Sequence, residues 1–478
     1  MMSQYETVIG LEVHVELSTL SKIFCGCSTA FGGEENSHVC EVCSGMPGTL
    51  PTMNKSVVEY AIKAGLALNC EITRLNKFDR KNYFYPDLAK AYQISQLYLP
   101  ICRNGHVDVV VEGKTSRIGI HEIHMEEDAG KLVHDPWDDC TLVDYNRSGV
   151  PLIEIVSEPD FRLAEEVIAY LEKLKTTLQY LGVSDCKMQE GSMRADINLS
   201  VRKVGDRVFG TRTEMKNMAS LKSIVRAIEG ESKRQIELIE SGGTVRQETR
   251  RWDDNKDSSY AMRSKENAQD YKYFPEPDLM PIEITEEEIQ RIRDCLPELR
   301  EAKMARYVGE LGLPEYDAEI LTGSMPLVTL FEKTIELCGN AKEASNWIMT
   351  DVLKMLNDFQ LQPEDMRFEK DSLGKIIRMV NDGKINRTTG KKVLQAVFEH
   401  NAEPESYVVE HGLSQVSDVS AIEPLIKAVL EENEKAVSEY RAGNAKSMQF
   451  LIGQSMKALK GKADPQAVRT ILTALLDA

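Results

Sequence analysis

The chain has 478 residues, more than the roughly 250 at which a single hydrophobic core stops growing, so its length predicts two or three domains. Hydrophobic residues make up 42% of it and charged residues 28%, which is typical of a folded protein and argues against a largely disordered one. The net charge of -18 argues against a general nucleic-acid binder, because non-specific affinity for phosphates comes from basic side chains.

The N-terminal residues show neither a basic start followed by an apolar segment nor a signal cleavage site. No later apolar run reaches the roughly 18 residues that would span a membrane. We therefore expect a cytoplasmic protein without a membrane partner. Thiols stay reduced in that compartment, so a disulfide scaffold is not expected, and the four clustered cysteines of the ten predict a metal or redox site.

The first predicted strand, LEVHVEL, carries polar groups on one face only. Its apolar residues alternate with Glu12, His14 and Glu16, which places two carboxylates and an imidazole on one side. A strand that faces only solvent would usually show Lys and Thr at those positions. Further acids follow in IHMEEDAGK and PLIEIVSEPD: Glu126, Glu127, Asp128 and Glu154.

Two cysteine pairs follow the first strand. A CxC pair is separated by twelve residues from a CxxC pair, in a stretch rich in Gly and Ser with little apolar content. Four thiolates at such spacing predict a closed, structural zinc site in the loop 25–43. A redox dithiol and ordinary cysteines are the alternatives, but no βαβ pattern surrounds the CxxC. The expected ligands are Cys25, Cys27, Cys40 and Cys43.

Helices and strands alternate in the middle of the chain. A helix capped by Asp160 is predicted to run to Leu181, and a second one to start after Ser220 and stop at Gly242-Gly243. Between them, residues 193–202 alternate cleanly between apolar and polar side chains. This pattern predicts an antiparallel sheet with one apolar and one polar face.

Cations are interleaved with the acids at positions that look like strands. Carboxylates gathered on one face repel each other, a cost that a divalent cation offsets most easily, and an oxygen-rich acidic site suits Mg²⁺ with substrate phosphates. Arginine and lysine suit the phosphate oxygens themselves. For any single pair, a surface salt bridge is the alternative. The chain lacks the P-loop, GxGxxG and GxSxG motifs. The residues concerned are Lys81, Arg147, Arg194, Asp196, Glu214, Lys216 and Arg250.

The remainder of the chain, from about residue 295 onward, is predicted to be helical, with loops at 313–314, 382–383 and 389–390. A loop near 412–417 separates a last helical piece. The predicted fold class is therefore α+β, with domains at 1–294, 295–407 and 408–478. Between residues 441 and 470 there are six cations and one acid, which predicts a basic surface, unless the run is simply a solvated helix face.

Eight strings carry a resemblance to a known family: GLEVHVEL, KFDRKNYFYPDLAKAYQISQ, RIGIHEIHMEEDAGK, NRSGVPLIEIVSEPD, KMQEGSMRADINLSVR, GTRTEMKNMAS, QETRRWD and DYKYFPEPDLMPIEI. They occur in the order and approximate spacing of the B subunits of bacterial tRNA-dependent amidotransferases. The string FLIGQSMKALKGKADPQAV resembles the small tRNA-binding module of the same family, so the resemblance covers the whole chain.

The resemblance implies a cradle-shaped N-terminal kinase domain that holds ATP and Mg²⁺, a helical domain, and a tail that binds tRNA. It implies that the catalytic residues are Glu12, His14, Glu127, Glu154, Asp196 and Glu214, of which Glu12, His14 and Glu127 hold magnesium. ATP and its phosphates are expected at Lys81, Arg147, Arg194, Lys216 and Arg250. Expected tRNA contacts are Lys446, Lys457, Lys460, Lys462 and Arg469.

The implied reaction is the ATP-dependent phosphorylation of the side-chain carboxylate of Glu-tRNA(Gln), Asp-tRNA(Asn) or both, followed by amidation with ammonia. The expected partners are an amidase A subunit that releases ammonia from glutamine and a small C subunit. Two other functions remain open. A tRNA-binding adaptor would leave the acidic cluster unexplained, and a ligase for a small free carboxylic acid would leave the basic tail without a role.

Overall fold

The computed structural model describes residues 4–135, 138–264, 268–414, 419–441, 444–459 and 465–476. It divides into two compact units, Met1–Leu299 and Arg300–Ala478. Every described strand lies in the first unit, and the second is helical. The predicted α+β class is confirmed. In the described part of the chain, no helix is both long and apolar enough to cross a lipid bilayer.

Sixteen strands are described in the first unit. They are β1 (Tyr5–Glu16), β2 (Glu71–Ile72), β3 (Leu75–Asn76), β4 (Asp79–Asn82), β5 (Tyr92–Ser95), β6 (Cys102–Val111), β7 (Lys114–Glu127), β8 (Lys131–His134), β9 (Thr141–Asp144), β10 (Pro151–Ser157), β11 (Met193–Lys203), β12 (Thr213–Lys216), β13 (Glu248–Asp253), β14 (Ser258–Ser264), β15 (Phe274–Pro275) and β16 (Ile282–Glu283).

Sixteen α-helices are described in the two units. They are α1 (Lys55–Ala67), α2 (Ala164–Tyr180), α3 (Leu221–Glu240), α4 (Glu286–Asp294), α5 (Arg300–Gly309), α6 (Glu315–Leu321), α7 (Met325–Cys338), α8 (Ala341–Trp347), α9 (Leu353–Asp358), α10 (Ser372–Asn381), α11 (Arg387–His400), α12 (Pro404–Glu410), α13 (Val419–Glu432), α14 (Glu434–Arg441), α15 (Ala445–Ala458) and α16 (Pro465–Leu476).

A nine-stranded sheet organises the first unit, in the order β14-β13-β12-β11-β1-β10-β7-β6-β2. Its neighbours are antiparallel except for β12 and β13. The expectation of a purely antiparallel sheet is wrong at this one pair. The reason is topological: α3 lies between β12 and β13 in the chain, and a helical crossover returns the second strand parallel to the first.

The apolar face of this sheet is covered by α1, α2 and α3. In β11 the apolar residues 193, 195, 197, 199 and 201 are all buried, as the alternation predicts. Val13, Ile153 and Ile197 are fully buried in the same core, and each such side chain contributes roughly 1.5–3 kcal/mol on burial. The polar side chains are thereby forced to the opposite face, where the candidate site lies.

Helix α2 begins at Ala164, so the expectation that Asp160 caps it is wrong. The carboxylate of Glu166 accepts hydrogen bonds from the backbone N–H groups of Arg162 (2.8 Å) and Leu163 (3.2 Å) instead. Asp160 accepts from the backbone N–H of Gly119 at 2.9 Å, a contact between distant segments. The predicted start of α3 after Ser220 is confirmed, and the Ser220 side chain accepts a hydrogen bond from the backbone N–H of Ser223 at 3.1 Å.

The second unit contains two separate apolar cores. One is built by helices α5 to α12 and contains Val408, and the other is built by the last four described helices. The predicted loop at 389–390 is wrong, because Gly390 lies inside α11. A Cβ at Gly390 would lie 3.1 Å from the Trp347 ring, so the glycine permits close helix packing. The predicted loop at 412–417 lies partly outside the described residues.

Candidate active site

The centre of the polar face is formed where β1 meets its two neighbours. In the strand register His14 is paired with Glu154 of β10 and with Arg194 of β11, and Glu154 is paired with His124 of β7. Directly paired residues point to the same face, so these side chains form one row across four strands. His14 Nε2 lies 3.4 Å from Glu154 Oε2 and 3.6 Å from Glu126 Oε1.

His14, Glu126 and Glu154 form a first group on the polar face, and its electrostatics favour a positive charge between the two carboxylates. Burial alone would lower the pKa of His14, but the attraction of Glu154 and Glu126 raises it to about 9. Burial would likewise raise the pKa of Glu154, yet His14 and His124 lower it well below its usual range. A metal ion held by these residues would replace the proton of His14, because only a neutral imidazole can be a ligand. The ligand atoms of His14, Glu126 and Glu154 lie within 4.8 Å of one another, which fits a divalent ion.

A second acidic group lies beside the first and comes from three adjacent strands. The carboxylates of Glu12 (β1), Asp196 (β11) and Glu214 (β12) lie within 4.8 Å of one another. The Lys216 ammonium contacts Asp196 and lies 3.3 Å from Glu214. Asn198 donates a hydrogen bond to Glu12 at 2.8 Å. The three carboxylates form a second set of oxygen ligands that suits Mg²⁺.

Glu127, expected to hold magnesium, lies in neither group. Its carboxylate contacts Lys90 Nζ at 2.5 and 2.7 Å and accepts from the backbone N–H of Ile94 at 2.9 Å. Its neighbour Glu126 points to the polar face instead. The sequence analysis did not predict that Glu126 lies beside His14 and Glu154.

A β-bulge in β7 explains why Glu126, and not Glu127, points to the polar face. Ile118 and Ile120 are buried at even positions, but Ile123 and Met125 are buried at odd ones. Val156 and Ser157 are consecutive on β10, but their partners on β7, Glu122 and Ile120, are separated by one residue. The residue between them, His121, is therefore an extra residue, and the side chains of β7 that face the core change from even to odd positions there. The signal in the sequence was the pair of apolar residues at 123 and 125.

A cavity of about 750 Å³ opens beside Asp196. The guanidinium groups of Arg147 and Arg194 line it, and both lie near Asp128, at 3.5 and 3.0 Å. Burial, together with repulsion from Asp128, raises the pKa of Glu16 at the cavity wall to about 8. The cavity therefore places two arginines next to a carboxylate group, an arrangement suited to an anionic ligand.

The two remaining cations expected at phosphates lie in different places. Lys81 of β4 lies over the rings of Tyr83 and Tyr271, 5.7 and 5.1 Å from their centroids. Arg250 is paired in register with the buried Met215, so it points to the helix-covered face of the sheet. There its Nε lies 3.4 Å from Glu231 of α3. The structure does not bring Arg250 to the polar face.

The four cysteines of the loop 25–43 converge, with their sulfur atoms within 4.8 Å of one another. The hydrogen bond from Cys25 is the largest effect that lowers the pKa of Cys43 to about 4, and the nearby Lys22 ammonium acts in the same direction. Lys22 is fully buried, and its Nζ lies 3.5 Å from Cys43 Sγ. Four clustered sulfur atoms with a thiolate among them are compatible with structural zinc.

In the tail, Lys446 and Lys457 lie on α15 and Arg469 lies on α16, and all three side chains are exposed. Lys460 and Lys462 lie outside the described residues.

The chain matches the GatB/GatE catalytic domain over residues 7–290 and the GatB domain over residues 329–476. It is 64% identical, over 99% of both chains, to the B subunit of the aspartyl/glutamyl-tRNA(Asn/Gln) amidotransferase of Lachnoclostridium phytofermentans. The proteins of the same name from Agathobacter rectalis and Lachnospira eligens are 58% and 57% identical, each over 99% of this chain and 100% of the relative. The chain therefore belongs to the family of amidotransferase B subunits, which are subunits of ligase-type enzymes.

Proposed function

We propose that this chain activates the side-chain carboxylate of Glu-tRNA(Gln), Asp-tRNA(Asn) or both with ATP, so that ammonia can convert it to an amide. The observation that carries the proposal is the pair of acidic groups on one sheet face, next to a cavity lined by two arginines. A carboxylate is a poor acyl donor, whereas its mixed anhydride with phosphate has a good leaving group. The polar face supplies what phosphoryl transfer needs, which is positioning and charge neutralisation.

In the proposed reaction a side-chain oxygen of the tRNA-bound amino acid attacks the γ-phosphorus of ATP, and the bond to ADP breaks. Ammonia then attacks the carbonyl carbon, phosphate leaves with the bonding electrons, and the nitrogen loses a proton. Magnesium, held by His14, Glu126 and Glu154 or by Glu12, Asp196 and Glu214, would offset the charge of the phosphates. Arg194 and Arg147 would orient the anionic groups in the large cavity, and Lys216 would hold Asp196 in place.

Two residues receive different roles from those expected. Glu127 would act by holding Lys90, and we propose no phosphate contact for Arg250. Lys81 would contribute positive charge above the tyrosine rings. We propose that residues 1–294 form the activating domain, 295–407 the helical domain and 408–478 the tRNA-binding tail, a division that the three separate apolar cores support.

The relatives are each named as one subunit of an amidotransferase, which supports a multi-subunit enzyme. We propose that an amidase A subunit supplies ammonia and that a small C subunit completes the assembly. In the test, this three-subunit enzyme is assembled and ADP release is measured with misacylated tRNA, with the correctly charged tRNA and with free glutamate. ADP release is expected with misacylated tRNA alone, in proportion to amide formed. Amidation without ADP release would contradict the proposal.

We further propose that the cysteine cluster binds one structural zinc ion. Protein purified without chelator is expected to contain close to one zinc per chain, measured by atomic emission. Cys40→Ser should lower the thermal unfolding midpoint more than it lowers turnover, because the ligands brace a loop and touch no reacting atom. Cys295→Ser, which alters an exposed cysteine outside the cluster, is the control. A zinc-free wild-type protein with four freely titratable thiols would refute the site.

The tail prediction concerns affinity for tRNA. Replacing Lys446, Lys457 and Arg469 together by glutamine should raise KM for tRNA, leave kcat almost unchanged and reduce the dependence of binding on salt, because phosphate contacts release counterions.

The matched control replaces three exposed lysines of the first unit, Lys114, Lys233 and Lys256, by glutamine, which changes the net charge equally. If the tail variant and the control variant show the same KM for tRNA and the same salt dependence, the basic residues of the tail would form only a solvated helix face.

A further inference from the structure

Thr249 of β13 contacts the second acidic group from a strand that contributes no carboxylate to it. Its hydroxyl donates a hydrogen bond of 2.6 Å to Glu214 Oε2. Thr249 and Glu214 are paired in register, so their side chains lie on the same face of the sheet. Both residues are buried, at 3% and 7% exposure. The hydrogen bond therefore holds Glu214 against a buried side chain that is not itself one of the three clustered acids.

The strand that carries Thr249 is fixed from the opposite, helix-covered face of the sheet. Arg250 donates hydrogen bonds to the hydroxyl and to the backbone carbonyl of Ser259, both at 2.8 Å. The ring of Trp252 is buried against α3, where a Cβ at Gly230 would lie 2.9 Å from it. Thr249 also has a branched side chain, which restricts its rotation about χ1. The hydroxyl is thus presented to Glu214 in a fixed position.

The carboxylates of this group are held by two kinds of partner. The ammonium of Lys216 contacts Asp196 and lies 3.3 Å from Glu214 Oε1, and its positive charge opposes that of any cation bound nearby. The hydroxyl of Thr249 is neutral. A carboxylate oxygen has more than one lone pair, so it can accept this hydrogen bond and still bind a metal ion. Thr249 therefore orients Glu214 without reducing the negative charge that would attract magnesium.

From this arrangement we propose that Thr249 is a positioning residue for Glu214 and sets the affinity of the second acidic group for a divalent cation. The proposal rests on the magnesium-assisted function proposed above. Hydrogen bonds to carboxylate ligands fix the direction of the oxygens, and the loss of such a partner typically lowers metal affinity or activity by roughly 10–100-fold. Because Thr249 acts only through Glu214, its loss should weaken cation binding more than the reaction of the loaded enzyme.

Two pairs of proteins isolate the hydroxyl. Thr249→Val keeps the shape of the native side chain and removes the donor, whereas Thr249→Ser and Thr249→Ala differ from each other only by the hydroxyl. In the assembled enzyme, electron paramagnetic resonance titration with Mn²⁺ alone measures cation binding. The Kd of one Mn²⁺ site should rise roughly tenfold or more in Thr249→Val and Thr249→Ala and stay within about threefold of the wild type in Thr249→Ser. The Ser and Ala pair keeps the test decisive if Thr249→Val does not fold.

The same variants should change the magnesium dependence of tRNA-dependent ADP formation. The Mg²⁺ concentration that gives half the maximal rate should rise in parallel with the Kd for Mn²⁺. The kcat at saturating Mg²⁺ should stay near that of the wild type, because all the ligands remain once the site is filled. A purely structural role would lower the thermal unfolding midpoint and move neither metal constant.

Thr213→Val is the matched control. Thr213 precedes Glu214 on β12 and points to the opposite face, where its hydroxyl donates to the buried carboxylate of Glu231 at 2.8 Å. This variant removes the same kind of hydrogen bond and should bind Mn²⁺ like the wild type.

Equal Mn²⁺ affinity in Thr249→Ser and Thr249→Ala would overturn the positioning role and leave the proposed function standing. A wild-type enzyme that neither binds Mn²⁺ nor requires a divalent cation for ADP formation would overturn the magnesium role proposed above together with that of Thr249.

Discussion

Glu12→Gln will lower kcat for tRNA-dependent ATP hydrolysis by roughly 10²–10³-fold or more, the size of effect that follows when one preorganised electrostatic contact is lost. Glu12 contributes one of three carboxylates that converge from separate strands, and it accepts a hydrogen bond from Asn198. A glutamine keeps the size of the side chain and part of its hydrogen bonding, but not the negative charge that would hold magnesium. Single-turnover ADP formation with saturating misacylated tRNA measures the loss.

The control for this variant is Glu158→Gln, which removes an acid just beyond β10 that is paired with His121 on the surface. Glutaminase activity of the A subunit should stay intact in both variants, which shows that the assembly persists. Wild-type amidation by Glu12→Gln would exclude Glu12 from the reaction centre.

Glu127→Gln will lower the free energy of unfolding of the first unit by roughly 3–5 kcal/mol, because it leaves the mostly buried ammonium of Lys90 without its partner. In the native protein that ammonium contacts both carboxylate oxygens and lies near the rings of Phe24 and Tyr92. A neutral amide cannot offset the desolvation of the charge. Thermal and denaturant unfolding measure the change.

The double variant Lys90→Met with Glu127→Gln should recover most of the lost stability, since it removes the unpaired charge while the amide oxygen can still accept from Ile94. Glu112→Gln, at the exposed turn between β6 and β7, is the control and should leave stability unchanged. A single Glu127→Gln variant as stable as this control would show that the pair is not buried in solution.

Local periodicity was enough to predict which polar side chains of the two central strands share a face of the sheet. In β1 and β11 the strict alternation indicates which side chains share a face, because successive residues of a strand point to opposite sides. The predicted polar positions Glu12, His14, Arg194 and Asp196 accordingly lie together on one face of the sheet. The spacing of the four cysteines likewise predicted a cluster, and their sulfur atoms converge.

The sequence by itself therefore determined the fold class, the helical second half and the polar faces of the two central strands. Only the tertiary structure decided that Glu126 rather than Glu127 joins His14, since an extra residue in β7 reverses the alternation. It also decided that Arg250 points to the helix-covered face, because the crossover through α3 sets how β13 pairs with β12. Side-chain alternation is a local property of the backbone, whereas bulges and strand register depend on contacts between segments far apart in the chain.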